Sequence, residues 1–270
     1  MNRTINEFAS VQPRTKSRKP SAETLAFCPV CAGDAHFLMR RPSDVSCSDR
    51  FVEVPRLGWG EDIDYWRCDG CAHIFSRNFD DWDNHLFRKR IYNSDYALFD
   101  PGYLGTRPGL IAEAICDLMA PPLSILDYGA GEGILSQRLR AAGFDVENYE
   151  PMGGNTELQP NSADLVLCIE VVEHAPFPGR TFEDLHRALR PGGALIISTL
   201  LANEALEHSA WWLGPRNGHV CAFSPQSLDA LAPDILSVTP GVHLYGGSSQ
   251  KREELVALCK RIDSARLCER

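Results

Sequence analysis

The stretch SILDYGAGEGI, residues 124–134, runs from an apolar segment into three alternating glycines and then into a segment with helical spacing. Glycine permits left-handed backbone conformations and lets a ligand approach the chain closely. A strand that ends in such a turn before a helix presents backbone N–H groups beyond its carboxyl end, where nucleotides commonly bind. The stretch therefore predicts a strand, a ligand-binding turn and a helix, with a plain tight turn as the alternative.

Short apolar runs alternate with segments of helical spacing from residue 123 onward. Strands that alternate with helices pair in parallel through right-handed crossovers, so the pattern predicts a Rossmann-like, doubly wound α/β sheet. Two later runs, residues 235–238 and 242–245, predict a closing pair of strands that makes the sheet mixed. The alternating segments are residues 124–128, 134–142, 146–150, 164–169, 181–190 and 194–199.

Two acidic residues accompany the glycine turn. Asp127 lies two residues before the first glycine, and Glu150 ends the next predicted strand. An acid about twenty residues after the turn can accept hydrogen bonds from both hydroxyls of a ribose, which favours an adenosine-containing ligand. The spacing Gly129-x-Gly131-x-Gly133 differs from the Gly-x-Gly-x-x-Gly pattern that binds a pyrophosphate, so it argues against a dinucleotide enzyme.

These residues resemble motif I of the class I S-adenosylmethionine-dependent methyltransferases. Residues 186–199 contain Leu189 followed by Pro191-Gly192-Gly193 and resemble the family's turn into its fifth strand. The resemblance implies S-adenosylmethionine as the cofactor, with the glycines facing its methionine part and Glu150 holding its ribose. The cofactor-binding residues that it implies are Asp127, Gly129, Ala130, Gly131, Gly133, Glu150 and Glu170.

The region that follows Glu150 departs from the family pattern. Only residues 151–163 separate Glu150 from the next predicted strand, where the family fits a helix, a third strand and an acid that contacts adenine. Residues 156–160 still resemble the stretch that precedes the fourth strand. We therefore expect the third strand to be missing, and the sequence assigns no residue to the adenine contact.

A cluster of polar residues, Glu170-x-x-Glu173-His174, follows the predicted fourth strand. In one interpretation Glu170 contacts the cofactor or a loop, while Glu173 and His174 cap the next segment. In the other interpretation, the cluster resembles the metal motif of two groups of enzymes, the small-RNA 3′-terminal 2′-O-methyltransferases and the ubiquinone-pathway catechol O-methyltransferases. That resemblance implies a bound Mg or Mn ion whose ligands are Glu170, Glu173, His174 and His219. Glu173, His174 and His219 are the candidate catalytic residues, since without a metal either histidine can act as a general base.

Four cysteines form two C-x-x-C pairs, Cys28 with Cys31 and Cys68 with Cys71. Two such pairs can complete a closed, tetrahedral four-thiolate zinc site, which is structural because it leaves no open coordination position. The long interval between the pairs predicts an inserted ribbon or loop, so the N-terminal part is predicted to be a small zinc-ribbon module.

The order of these parts resembles that of bacterial methyltransferases from natural-product and sugar pathways. By that resemblance Tyr92 and Tyr96 close over the cofactor, and packing is the alternative for both. Trp211 and Trp212 are candidates for the wall of the acceptor pocket. The predicted organisation is a disordered tail at residues 1–24, a zinc-binding module at 25–78, connecting helices that form a lid at 79–120, and the methyltransferase domain at 121–270.

Composition restricts the class of partner. The 270-residue chain carries a formal net charge of -9, which disfavours nucleic acid because phosphate binding depends on lysine and arginine. No apolar run approaches the roughly 18 residues that span a membrane, and residues 1–23 lack the apolar stretch of a secretory signal. With ten cysteines this favours a reducing, cytoplasmic location.

The sequence as a whole predicts an enzyme that methylates the oxygen of a small-molecule or glycan acceptor, such as a sugar, a nucleotide-sugar or a phenolic metabolite. Two alternatives stay open at this point. One is an RNA or tRNA methyltransferase whose zinc module grips the substrate, and the other is a non-catalytic scaffold that retains the fold. The sequence predicts neither the acceptor nor the oligomeric state.

Overall fold

Two β-sheets organise the chain in its computed structural model, which describes residues 26–51, 53–153, 157–202 and 211–267. The predicted N-terminal tail lies outside these residues. The first sheet is antiparallel, and its β2 and β3 pair from Ala35 opposite Cys68 to Pro42 opposite Asp62, so an inserted ribbon joins the two cysteine pairs. Its strands are β1 (Ala26–Phe27), β2 (Asp34–Pro42), β3 (Asp62–Cys68), β4 (Ile74–Ser76) and, from far along the chain, β9 (Cys221–Ala222).

The second sheet has six strands in the order β10-β11-β8-β7-β5-β6. The four strands from β6 to β8 are parallel, whereas β11 pairs antiparallel with β8 and with β10. This arrangement confirms the predicted mixed, doubly wound α/β fold and its closing hairpin. The strands are β5 (Ser124–Tyr128), β6 (Asp145–Tyr149), β7 (Ala163–Ile169), β8 (Leu189–Ser198), β10 (Leu236–Thr239) and β11 (Val242–Gly246).

Helices cover both faces of this sheet. Neighbouring side chains of β5 point to opposite faces of the sheet. Ile125 belongs to the apolar core that the sheet forms with α2, α3 and α6. Leu126 belongs to the core that it forms with α4 and α5. Ser224 Oγ accepts a hydrogen bond from Ser227 N–H and Pro225 occupies the first turn, so these residues begin the helix that follows β9. The helices are α1 (Asn84–Arg90), α2 (Thr106–Leu118), α3 (Ile134–Ala141), α4 (Pro178–Ala188), α5 (Pro225–Leu231) and α6 (Arg252–Leu267).

The edge of the sheet at β6 agrees with the predicted loss of a third strand. No strand occurs between β6 and β7 in the part of this interval that the structure describes, residues 150–153 and 157–162. Helix α1 flanks this edge instead: Asn84 Nδ2 donates to the carbonyl of Pro151 at 3.0 Å, and Arg88 Nη1 donates to that of Met152 at 2.8 Å. Side chains from the segment before the main sheet thus hold the turn after β6.

The predicted boundary between α4 and β8 is wrong. The sequence predicts a helix to residue 190 and a strand from residue 194, whereas α4 ends at Ala188 and β8 begins at Leu189. Proline disfavours helical backbone at the residue before it, which ends the helix early. The pairing of β8 with β7 then shifts between Ala163 opposite Leu189 and Leu165 opposite Ala194, so the Pro191-Gly192-Gly193 run forms a bulge inside the strand.

None of the helices in the described part of the chain combines the length and the apolar character that crossing a membrane requires.

Candidate functional site

The glycine turn after β5 has left-handed backbone at all three glycines, with φ of 76° at Gly129, 52° at Gly131 and 71° at Gly133. A Cβ at Gly129 would collide with Val171, whose Cγ1 would lie 2.8 Å away, whereas a Cβ at Gly131 would meet only Tyr103, at 3.6 Å. The first glycine is therefore required by packing, and the second keeps space free above the turn.

The two acids beside the turn hold it in place. Asp127 is buried, and its Oδ2 accepts a hydrogen bond from Ser136 Oγ at 2.8 Å, which ties β5 to the first turn of α3. Burial raises the pKa of Asp127 to about 6. Glu150 accepts from the N–H of Gly131 at 2.8 Å and from that of Met152 at 2.9 Å, one bond on each oxygen. Each oxygen keeps a second lone pair with which it can accept from a ribose hydroxyl.

Three of the predicted polar residues come together beyond β7. Glu173 and His174 lie in a short 3₁₀ turn, and His219 lies in the loop before β9. One side-chain donor atom from each of the three lies within 4.8 Å of the other two, and the two imidazole rings are 4.9 Å apart between centroids. We call this group the Glu-His-His cluster.

Backbone carbonyls fix the orientation of both histidines. His174 Nδ1 lies 3.0 Å from the carbonyl of Gly218, and His219 Nδ1 lies 2.5 Å from that of Trp212. A carbonyl only accepts, so each Nδ1 carries a proton and donates to it. This is the arrangement in which proteins orient imidazole ligands of a metal ion or a general base.

Glu173 is fully buried, and neither oxygen of its carboxylate has a hydrogen-bond partner among the described residues. The hydroxyl of Thr199 lies beside the Glu173 carboxyl group and favours its charged form. The two groups do not meet the geometry of a hydrogen bond. Burial, together with the charge of Glu170, raises the pKa of Glu173 to about 8. A buried carboxylate without a hydrogen-bond partner, with a nitrogen of each of two imidazoles within 4.8 Å of it, is a donor set that fits a divalent cation.

The structure places Glu170 outside this cluster. Its Oε1 accepts a hydrogen bond from Ser198 Oγ at 2.8 Å and lies 3.7 Å from Nε of the buried Arg266. Its backbone is left-handed, with φ of 54°, which turns the chain between β7 and the 3₁₀ turn. The carboxylate is therefore engaged by β8 and α6, and Glu170 is not among the three residues whose donor atoms converge.

A row of tyrosines connects the glycine turn to the Glu-His-His cluster. Tyr103 lies over Gly131, and ring centroids follow at 5.2 Å from Tyr103 to Tyr96, 5.1 Å from Tyr96 to Tyr92, and 6.0 Å from Tyr92 to His174. The sequence resemblance predicted a role for Tyr92 and Tyr96 but not for Tyr103, although all three belong to the same connecting segment. The three rings therefore run from the glycine turn to the Glu-His-His cluster.

The two adjacent tryptophans have different surroundings. Trp212 is buried and packs against His219, with 4.3 Å between ring centroids. Trp211 contacts the exposed ring of Phe51 at 5.4 Å, and the guanidinium of Arg50 lies over it. Trp212 therefore contacts a residue of the Glu-His-His cluster.

The four cysteines of the two C-x-x-C pairs converge at one end of the first sheet. Cys31 and Cys68 Sγ are 3.4 Å apart, Cys28 and Cys71 Sγ are 3.6 Å apart, and all four sulfurs lie within 4.8 Å of one another. A tetrahedron of sulfurs around zinc has edges of about 3.8 Å, so the group fits this ion. The N–H groups of Val30 and Cys71 point at sulfur atoms at 3.4 Å and would stabilise thiolates.

The region that contains the glycine turn and the cluster matches known methyltransferases. Residues 103–234 match the family model described as a methyltransferase domain. The ubiquinone biosynthesis O-methyltransferase of Paraburkholderia phymatum is 31% identical over 104 residues, which cover 29% of this chain and 45% of that protein. The corresponding protein of Aeromonas salmonicida is 33% identical over 104 residues, covering 29% and 44%. The chain therefore spans less than half the length of these curated relatives.

Among solved structures, the chain is similar to 1,6-didemethyltoxoflavin-N1-methyltransferase of Burkholderia thailandensis, solved with S-adenosylhomocysteine. The identity is 17%, the TM-score is 0.35, and the match covers 53% of this chain and 79% of that one. Residues 103–234 are therefore similar to a methyltransferase domain.

Proposed function

We propose that this chain is an S-adenosylmethionine-dependent O-methyltransferase whose acceptor is a small hydroxylated molecule, such as a phenolic metabolite, a sugar, a nucleotide-sugar or the end of a glycan. The observation that carries the proposal is the Glu-His-His cluster, which combines a buried, unpartnered carboxylate with two oriented imidazoles. The row of tyrosines connects it to the glycine turn. Such a group is suited to oxygen chemistry, because a hydroxyl must lose its proton before it can accept a methyl group.

The residues around the glycine turn would hold S-adenosylmethionine. The free space above Gly131 suits its methionine part, and Glu150 is placed to accept from its ribose. When bound, this cofactor supplies a methyl group from its sulfonium. The chain contributes mainly alignment and exclusion of water, since displacement at that methyl needs the attacking oxygen in line with the bond that breaks.

The cluster would bind the acceptor and remove its proton. An imidazole whose Nδ1 donates to a carbonyl can use Nε2 to take a proton from a hydroxyl or to bind a cation, and His174 and His219 are both oriented by carbonyls in this way. A divalent ion such as Mg or Mn, when bound, would lower the pKa of the acceptor hydroxyl. Glu173 would hold the compensating negative charge. Trp212 packs on His219 and holds that ring in place.

The four-cysteine site is proposed to hold one structural zinc ion. The ribbon around it carries several carboxylates, among them Asp34, Asp62 and Asp69, which do not suit a phosphate backbone. This supports a small-molecule or glycan acceptor over RNA.

The experiment that tests the proposal measures formation of S-adenosylhomocysteine with a panel of catechols, other phenols and sugars, with and without Mg or Mn. We expect turnover with at least one acceptor that carries neighbouring hydroxyls, stimulation by the cation, and loss of turnover in Glu173→Gln. Glu183→Gln, an exposed glutamate on α4, is the matched control and should behave as the wild type. Turnover that is indifferent both to the cation and to Glu173→Gln would refute the role of the cluster.

A further inference from the structure

Residues 211–224, the bridging segment, belong at once to the cysteine module and to the candidate active site. At one end, β9 pairs with β4 through Ile74 opposite Ala222, and Ser224 Oγ donates to the carbonyl of Cys71, one of the four cysteines. Nearer the middle, Tyr65 Oη of β3 donates to the carbonyl of His219 at 2.7 Å. The segment therefore completes the sheet that carries the cysteine site.

Asn217 anchors the middle of the bridging segment, and its side chain is buried. Its Oδ1 accepts from Ser46 Oγ at 2.8 Å and from the N–H of Cys47 at 2.9 Å, both in the cysteine module. Its Nδ2 donates to the carbonyl of Phe99, in the connecting segment, at 3.1 Å. One amide side chain thus fixes the bridging segment to two other parts of the chain.

The same segment sets both histidines of the Glu-His-His cluster. The residue after Asn217, Gly218, supplies the carbonyl that orients His174, and the next residue is His219 itself. One residue further, the N–H of Val220 donates to the carbonyl of Glu173 at 2.9 Å. The space is close, because a Cβ at Gly218 would lie 3.1 Å from His174 Nδ1. A displacement of the segment would therefore move all three members of the cluster.

We propose that the cysteine module positions the Glu-His-His cluster through the bridging segment, with Asn217 as the main positioning residue. The metal-bound module is then part of the active site rather than an appended domain. Loss of the ion from the four cysteines releases β4, β9 and the carbonyl partners of the histidines. The catalytic meaning of this coupling rests on the proposed function, but the coupling itself is a property of the fold.

The test uses the full chain labelled with ¹⁵N-histidine and requires no substrate. In the wild type we expect slowly exchanging Nδ1–H signals from His174 and His219, since both donate to carbonyls. We expect a third slow signal from Nε2–H of His243 on β11, which donates to the carbonyl of Thr199 while its Nδ1 accepts from Ser237 Oγ. Asn217→Ala should speed exchange of the first two signals at least tenfold and leave the third unchanged. Unchanged exchange of all three would overturn the proposal.

Asn78→Ala is the matched control, because Asn78 lies beside the same sheet and accepts from Asp64 N–H at 3.1 Å without a recorded contact to the bridging segment. It should give wild-type exchange at all three histidines. If it mobilises His174 and His219 as strongly as Asn217→Ala does, general loosening of the module explains the effect and the proposal is wrong.

A second measurement avoids substitution altogether and covers the case in which Asn217→Ala does not fold. Removal of zinc by a chelator should raise amide hydrogen exchange at residues 218–222 at least tenfold and leave β5 unchanged. Equal protection of residues 218–222 with and without zinc would overturn the coupling. Failure of the proposed function would be seen separately, as absence of S-adenosylhomocysteine binding, and would leave these exchange results as they are.

Discussion

Two glycines of the same turn should fail in different ways when each is replaced by alanine. Gly129→Ala places a Cβ against the Cγ atoms of Val171 and demands left-handed backbone from alanine. The backbone cost is about 1–2 kcal/mol and the overpacking cost about 1–3 kcal/mol, so we expect the free energy of unfolding to fall by about 2–5 kcal/mol. The loss should be seen in urea unfolding, without a ligand.

Gly131→Ala has the same backbone cost but meets only Tyr103, at an ordinary contact distance. Its expected stability loss is therefore only about 1–2 kcal/mol. Its Cβ, however, occupies the space proposed for the methionine part of the cofactor. Calorimetric titration should show at least a tenfold rise in the dissociation constant for S-adenosylhomocysteine, equivalent to about 1.4 kcal/mol.

A double variant separates the two effects. Val171→Ala removes both methyl groups that the new Cβ would strike, so the pair Gly129→Ala and Val171→Ala should show a favourable coupling of about 1–3 kcal/mol. Additive losses would refute the steric explanation for Gly129. Wild-type affinity for S-adenosylhomocysteine in Gly131→Ala would refute the placement of the cofactor over the turn.

The remaining predictions concern the two candidate metal sites. Burial raises the pKa of Glu173 from 4.5 to about 8. In the cation-free protein, the contribution of this group to the free energy of unfolding should therefore be largest below pH 4.5 and should fall as the pH rises toward 8. Glu173→Gln should remove the loss and raise the melting temperature by a few degrees at pH 8, and calorimetric scans of both proteins over this pH range would show an equal decline if the group is not responsible. Purified wild-type protein should contain about one zinc per chain by elemental analysis, and Cys68→Ser should lose it together with several kcal/mol of stability, whereas Cys116→Ser, an exposed thiol outside the cluster, should retain it.

Much of the fold could be read from the sequence because it is encoded in local patterns. The glycine turn, the alternation of apolar runs and the closing hairpin depend on neighbours in the chain, and each lies where it was predicted. The boundary of β8 was missed because the Pro-Gly-Gly run reads as a turn, yet the chain accommodates it as a bulge inside the strand. Strand β9 has only two residues, too few for any periodicity to be visible.

The candidate site was predictable only where its members are close in sequence or follow a known motif. Glu173 and His174 meet His219 as predicted, and the four cysteines converge. The engagement of Glu170 by Arg266 could not be predicted, because a buried ion pair between residues so far apart depends on how α6 packs. The same holds for Asn217, whose ordinary amide gives no sign in the sequence that it joins three segments.

The central claim is that the glycine turn binds S-adenosylmethionine beside a cation site, and one calorimetric experiment tests it most directly. Zinc-analysed wild-type protein and Gly131→Arg are titrated with S-adenosylhomocysteine, with and without Mn. We expect a dissociation constant on the order of micromolar for the wild type, tighter binding or a separate Mn isotherm when the cation is present, and no binding by Gly131→Arg. Absence of binding by the zinc-containing wild type under both conditions would contradict the account and favour a scaffold that has kept only the fold.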